Sequence, residues 1–381
     1  MRLAEDWVAA PPTQAVCAML TGAGFRALFV GGCVRNALIG APVSDIDIAT
    51  DAPPDKVAAL AETAGLRPVP TGLAHGTVTV VSGGIPHEVT TFRRDLRTDG
   101  RHAQVSFATT PEEDARRRDF TMNALYATPD GEVFDPLGGL ADLRARRVRF
   151  IGAAADRIRE DYLRILRFFR FHAWYGDAGA GLDREGLSAC AALAGGIADL
   201  SRERLGAEMK KLLSAPDPAP SVAAMTQAGV LMRILPGANP GALPILVHLE
   251  TAWGMPPDPI RRLAALGGDA VAGALRLSRA EARRLSALRV AAESDASPAE
   301  LGYRLGADGP DAVLLHAALV KRPPPPEARA QVGAGAAACF PVLAQDLMPA
   351  LSGPALGQRL KELEARWIAS GFVLTREELL R

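Results

Sequence analysis

The 381-residue chain predicts an α+β fold: a mixed sheet with helices, followed by an all-helical remainder. Three observations lead there. Strand-like runs of β-branched and aromatic residues are confined to the region before Ile151. Beyond Ala154 apolar residues recur at helical spacing. Within the first of these regions, Gly31-Gly32 and then Ser44-Asp45-Ile46-Asp47-Ile48 arrange strand, tight turn, short helix and strand in immediate succession.

Taken in order, residues 1–27 read as a lead-in and a helix. Pro11-Pro12-Thr13 starts that helix, Val16, Met19 and Leu20 form its apolar face, and Gly22 and Gly24 end it. Leu28-Phe29-Val30 is a buried strand running into the glycine pair. Glycines let backbone N–H groups approach a phosphate closely, and the helix starting near Val34 favours anions at its N-terminus. After Gly40 and Pro42 comes Asp45-Ile46-Asp47-Ile48. Alternation along a strand puts both carboxylates on one face and both isoleucines on the other. Adjacent like charges repel; divalent cations are the natural compensation, and hard oxygen ligands suit Mg²⁺. Pro53-Pro54-Asp55 opens a helix to about Ala64.

Thr77–Val81, a Ser82-Gly83-Gly84 turn and His87–Phe92 read as a hairpin. Glu88 sits among apolar and β-branched residues. It is either an edge-strand acid facing water or a third carboxylate beside Asp45 and Asp47. Residues 93–105 are charged and contain Asp99-Gly100, so a mobile loop is expected. Pro111-Glu112-Glu113-Asp114 begins a helix with acids in its first turn. Arg117 and Arg118 can pair with a triphosphate, although Arg116 and Arg117 also suit a solvated helix end. Asp119 can accept a hydrogen bond from a ribose hydroxyl.

The balance of 43 basic and 43 acidic residues gives no net charge, so any nucleic-acid surface must come from local clustering. One such cluster is residues 144–170, with nine arginines against Asp156, Glu160 and Asp161. A strand is expected at Val148–Ile151 and a helix from about Ala154 to Tyr175. Along it Asp161, Arg164, Arg167 and Arg170 recur every third residue. They form either a solvated face or a reader of base edges: a carboxylate accepts from an exocyclic amine, and a guanidinium donates to ring acceptors.

Helices are expected at Leu182–Leu193 and, capped by Ser201, through Leu213; residues 216–220 are a proline-rich break. Further helices are expected at Val222–Ala228, Ile260–Leu266, Ala280–Glu293, Pro298–Leu305, Asp311–Leu319 and, for the most part, Gly353–Leu380. Pro323–Pro326 reads as a surface connector. Cys17, Cys33, Cys190 and Cys339 form no Cys-x-x-Cys, which argues against a zinc site and a disulfide framework and for a reducing compartment. With no signal-peptide pattern in residues 1–10 and no apolar run of the roughly 18 residues a membrane span needs, a cytoplasmic location is expected and no membrane partner.

Gly31-Gly32-x-Val34-Arg35 with Asp45-Ile46-Asp47 resembles the first motif of the class II tRNA nucleotidyltransferases (CCA-adding enzymes) and bacterial poly(A) polymerases. That implies a polymerase-beta-like nucleotidyltransferase head. The motif usually ends in Asp, where this chain has Asn36, so Asn36 is expected to support the turn rather than hold metal. The hairpin from His75 to Arg93 is similar to the family's second hairpin, which favours the metal-site role for Glu88. Arg93, Asp95, Asp99, Gly100, Arg101 and His102 resemble the flexible loop associated with adding adenosine. Arg117–Ala124 looks like the second signature, whose last Arg and Asp contact nucleotide; these are Arg118 and Asp119. Residues 133–143 resemble the third motif, with Asp135 structural. Glu160-Asp161-x-x-Arg164-x-x-Arg167-x-x-Arg170 is similar to the motif that selects the incoming base. The resemblance gives base recognition to Asp161 and Arg164, and phosphate contact or pocket shaping to Arg167 and Arg170. The Ser201 helix resembles a neck-stabilising motif.

The resemblance implies a head (1–143), neck (144–215), body (216–320) and tail contacting tRNA (321–381). The implied activity is template-independent addition of CCA to the tRNA 3′ end from CTP and ATP, with no protein partner implied. Asp45, Asp47 and Glu88 would be catalytic, Asp45 and Asp47 would hold Mg²⁺, and Gly32, Arg35 and Arg118 would cradle the triphosphate. The rivals are a poly(A) polymerase and a non-catalytic RNA-binding protein.

Overall fold

A computed structural model describes residues 1–73, 76–98 and 103–381. The chain forms two compact units, 1–236 and 237–381. In the first, a seven-stranded sheet has the order β3-β4-β5-β2-β1-β8-β9. Its strands are β1 (Leu28–Val30), β2 (Ile46–Thr50), β3 (Arg67–Gly72), β4 (Thr77–Ser82), β5 (Ile85–Thr91), β8 (Tyr126–Ala127) and β9 (Val133–Phe134). Only β2 and β5 run parallel, which makes the sheet mixed.

Alternation decides what each face of this sheet carries. Ile48, Val78, Val80 and Val89 are buried beneath the helices Pro11–Gly22 and Pro54–Thr63. His87 shares their face and its Nε2 lies 3.1 Å from Thr13 Oγ1 on the first of those helices. Asp47, Glu88 and Thr79 therefore point to the opposite face.

The segment expected as a mobile loop is instead a two-stranded ribbon, β6 (Arg93–Thr98) with β7 (Ala103–Phe107). It grows out of β5: the Phe92 N–H donates to the Thr50 carbonyl and the Ala108 N–H to that of Phe92. Its two strands are joined by backbone pairing, which a charged stretch without apolar alternation does not announce. His75, Asp99, Gly100, Arg101 and His102 lie outside the described residues.

The expected helix at 154–175 is two, Ala154–Glu160 and Leu163–Tyr175. Asp161 is extended between them (φ −157°, ψ 107°), and its Oδ1 accepts from the Leu163 N–H at 3.1 Å. A short acceptor side chain that bonds the backbone ahead of it starts a new helix instead of continuing the old one. The expected strand at 148–151 is reduced to one bridge, Phe120 to Phe150. Phe120 and Phe150 stack with Phe168 and Phe171, joining this segment to the helix Leu163–Tyr175. Asp135 caps the helix Gly139–Arg144, accepting from the N–H groups of Gly139 and Leu140.

Every named element of the second unit is a helix. The helices Pro259–Leu266, Arg279–Ala292, Pro298–Leu305 and Gly309–Val320 lie within a few residues of the expected bounds. Leu243–Ala252 and Ala328–Ala337 were not expected. Leu243–Ala252 is apolar on nearly every side and has no stripe to read. Ala328–Ala337 holds two glycines, which disfavour helix. It forms against Pro298–Leu305, where backbone meets backbone at Gly302 and Gly335. No described helix is long and apolar enough to cross a membrane.

Candidate nucleotidyl-transfer site

The open face of the sheet gathers the acids. Parallel pairing sets Asp47 directly beside Glu88, while Asp45 stands just before β2, exposed, with Ser44 Oγ 3.0 Å from one carboxylate oxygen. Among the described residues no cation lies within ion-pair distance of these three carboxylates. Burial, then Glu88 and Asp45, push the Asp47 carboxyl up to about 6, against the pull of Arg118 and Arg35. Stacked negative charge of this kind is a donor set for a hard divalent cation. No described group of three or more His, Cys, Asp or Glu side chains converges as a closed cage. An ion here would take the aspartates and complete its shell from water and substrate phosphates, which suits Mg²⁺.

The turn beside these acids depends on Gly31, whose φ of +72° and ψ of −119° exclude a side chain without strain. Gly32 opens the short helix Gly32–Leu38. Two guanidinium groups border the turn. Arg118 Nη1 would lie 3.4 Å from a Cβ at Gly31. Arg118 is fixed from behind by Asp114, through Nη2 at 2.9 Å, and by the Tyr126 hydroxyl at 3.3 Å. Arg35 donates to Asn123 Oδ1 at 2.5 Å and to the Tyr175 hydroxyl at 2.7 Å, and lies 4.0 Å from the Tyr175 ring centre. Asn36 accepts from Arg35 and donates to the Pro42 carbonyl, so it ties the helix to the loop ahead of Asp45.

Asp119 is 8% exposed and accepts from Arg167 Nε at 2.7 Å, from Asn123 Nδ2 and from the Phe120 N–H. Burial alone would raise its pKa; Arg167 and Asn123 outweigh burial and hold it down at about 2. Arg170 pairs with the buried Glu208 at 2.6 Å. Asp161 and Arg164 do not pair with each other. Asp161 binds Arg204 at 2.6 Å, and Arg164 binds Glu160 at 2.5 Å and the carbonyls of Arg157 and Arg117. That last contact joins the base-edge candidates to the residue preceding Arg118.

Sequence reading missed the residues that hold the others in place. Asp114 reads from sequence only as a helix-start acid, yet it is 1% exposed and anchors Arg117, Arg118 and Tyr126. Arg117, considered as a solvated helix end, is thereby paired and only 15% exposed in its side chain. Tyr175, Asn123, Arg204 and Glu208 were not singled out as site residues. The one available signal was the clustering of Arg with Glu203 and Glu208 in the Ser201 helix.

Residues 27–149 match the family described as the poly(A) polymerase head domain, and residues 181–241 the family described as a probable RNA and SrmB binding site of polymerase A. The chain is 34% identical over 366 residues to the mitochondrial CCA tRNA nucleotidyltransferase 1 of Mus musculus, covering 92% of this chain and 84% of that one. It is 40% identical over 232 residues to the CCA-adding enzyme of Geobacillus thermodenitrificans, covering 60% and 55%. Its structure resembles that of the Bacillus stearothermophilus CCA-adding enzyme in complex with CTP, with a TM-score of 0.73 and 28% identity over 97% of this chain and 95% of that one. With two matching family models and 34% identity over most of both chains, the chain belongs to the CCA tRNA nucleotidyltransferase family.

Proposed function

We infer that this chain adds C, C and A to the 3′ end of tRNA from CTP and ATP, without a nucleic-acid template and with release of pyrophosphate. The observation that carries the reading is the in-register pair Asp47 and Glu88, with Asp45, beside a glycine turn bordered by Arg118 and Arg35. The family works with a divalent metal, and we assign Mg²⁺ to Asp45 and Asp47. Bound there, the ions would make the RNA 3′-hydroxyl more acidic and offset charge on the departing pyrophosphate.

The chain's own residues do the rest. The Gly31-Gly32 turn admits phosphate oxygens to backbone N–H groups, and Arg118 and Arg35 donate to the triphosphate. Asp119 accepts from ribose. Asp161 and Arg164 read the feature that cytosine and adenine share, an exocyclic amine beside a ring acceptor. To do so, Asp161 offers an oxygen now shared with Arg204, and Arg164 a donor now shared with Glu160. Arg167 and Arg170, braced by Asp119 and Glu208, shape the pocket. We assign the chemistry to a head at 1–143, base reading to a neck at 144–215, and tRNA contact to a tail at 321–381, with a helical body at 216–320 between neck and tail. A reducing compartment, the cytoplasm, accords with four free cysteines.

The test is incubation of the full chain with tRNA lacking its terminal CCA and with each nucleoside triphosphate, singly and together. Ordered addition of C, C and A supports the reading. A long tract made from ATP alone would establish poly(A) synthesis instead, and no extension under any condition would leave an RNA-binding protein. Asp47→Asn should cut transfer about a thousandfold, equivalent to several kcal/mol of lost transition-state stabilisation, while tRNA binding persists. Undiminished turnover in that variant would refute the metal assignment.

A further inference from the structure

Nucleotidyl transfer brings two substrates together, and apart from the metal-holding carboxylates the site residues assigned above serve the incoming nucleotide. A second opening lies at the other end of the helix Leu163–Tyr175, where it packs against the helix Arg202–Leu213. This groove has a volume of about 450 Å³ and is lined by Arg170, Trp174, Tyr175, Lys210, Lys211 and Ser214, among others. Trp174 stands ten residues beyond Arg164 on one helix, about 15 Å along its axis. The groove is therefore separate from the base-edge candidates. It is nonetheless continuous with the phosphate side of the site, because its wall residue Tyr175 receives a hydrogen bond from Arg35 at 2.7 Å.

Its chemistry is specific. Trp174 keeps 42% of its surface exposed, an unusual cost for so large an apolar ring. Its indole N–H donates to the Lys211 carbonyl at 2.8 Å, so the ring is pinned by its edge and presents a face. Lys211 is exposed beside it. A fixed aromatic face next to cationic side chains is how proteins hold single-stranded nucleic acid: bases stack on the ring and phosphates follow the cations.

We propose that this groove seats the single-stranded 3′-terminal nucleotides of the RNA acceptor, with Trp174 as the stacking platform and Lys211 as a phosphate contact. The proposal rests on the reading of the chain as a tRNA nucleotidyltransferase, and it names positioning residues for the acceptor substrate. The terminal base stacked on Trp174 orients the RNA end toward the Arg35 side of the site, where the 3′-hydroxyl is needed.

The test measures binding by the full chain of a fluorescent single-stranded RNA dodecamer and, separately, of CTP. Trp174→Ala should weaken RNA binding about tenfold, as loss of one stacked base does, and leave CTP affinity within twofold. Trp174→Phe should restore most of the RNA affinity, because a ring face remains. Lys211→Glu should also weaken RNA binding and flatten its dependence on salt. In steady-state assays the Trp174→Ala defect should fall on KM for tRNA and spare kcat. Unchanged RNA affinity in both Trp174→Ala and Lys211→Glu would overturn the assignment. So would equal loss of RNA and CTP affinity that Trp174→Phe fails to restore. Because the primary readout is binding, failure of the chain to extend tRNA would overturn the functional reading and leave the groove assignment standing.

Discussion

At the scale of single residues, the site divides by how far apart in the chain its partners lie. Asp45 and Asp47 were legible because strand alternation assigns a face locally, whereas spacing left Glu88 open and only the pairing of β2 with β5 sets it beside Asp47. Their braces were not: Arg35 bonds Tyr175 across 140 positions, Arg167 bonds Asp119 across 48, and Arg204 bonds Asp161 across 43. No periodicity links residues so separated. Asp119 offers a pH test. An unfolded Asp titrates near ~4, and in the folded chain it titrates at about 2. Because the folded value is depressed, its contribution to stability is fully present above about pH 4 and is lost as pH falls through about 2, roughly 3 kcal/mol in all. Unfolding free energy measured against pH should show this loss in the wild type and not in Asp119→Asn. Parallel curves for the two proteins would mean that Arg167 does not hold the carboxylate.

Elements were read well where one stripe of apolar residues met a cap. The helix Arg279–Ala292 carries the full capping box from Ser278 and Glu281, and Pro298–Leu305 starts at Ser297 with proline next. Elements were missed where tertiary contact overrides propensity. Ala328–Ala337 is alanine-rich but interrupted by Gly333 and Gly335, and those glycines permit close approach to Pro298–Leu305. A Cβ at Gly335 would fall 1.8 Å from the Ala299 carbonyl oxygen, and one at Gly302 2.1 Å from that of Val332. Gly335→Ala gains helix propensity and still forces the pair apart. It should destabilise the 237–381 unit by about 1–3 kcal/mol, the usual range for overpacking. Denaturant unfolding checks this, and a gain in stability would mean that the two helices can separate without loss.

For the molecule as a whole, each of the two units has an ionic feature its net charge conceals. In the 237–381 unit, Arg261 and Arg262 are each about 1% exposed. Both bind Glu250, at 2.8 and 2.6 Å, and Arg261 also reaches Asp311 at 2.5 Å. Arg284 joins Asp258, Asp308 and Asp311 at the edge of the same cluster. Removing one buried partner leaves uncompensated charge, which costs about 3–5 kcal/mol. Glu250→Ala should therefore lower the thermal transition of this unit sharply, and a change below about 1 kcal/mol would show that water replaces the lost carboxylate. In the 1–236 unit, arginines that the sequence presents as one basic run are shared out among Glu160, Asp119 and Glu208, while Asp161 of that run pairs with Arg204 outside it.

By itself, the sequence determined the α+β head, the helical remainder, the carboxylates on one sheet face and the glycine turn beside them. All of these follow from neighbours within a few residues, where backbone geometry dictates direction. Only the tertiary structure decided that Asp161 breaks a helix, that residues 93–98 pair with 103–107 as a ribbon, and which acid neutralises which arginine. Ion pairs are chosen by distance in space, and a buried guanidinium accepts whichever carboxylate the fold brings within hydrogen-bond reach.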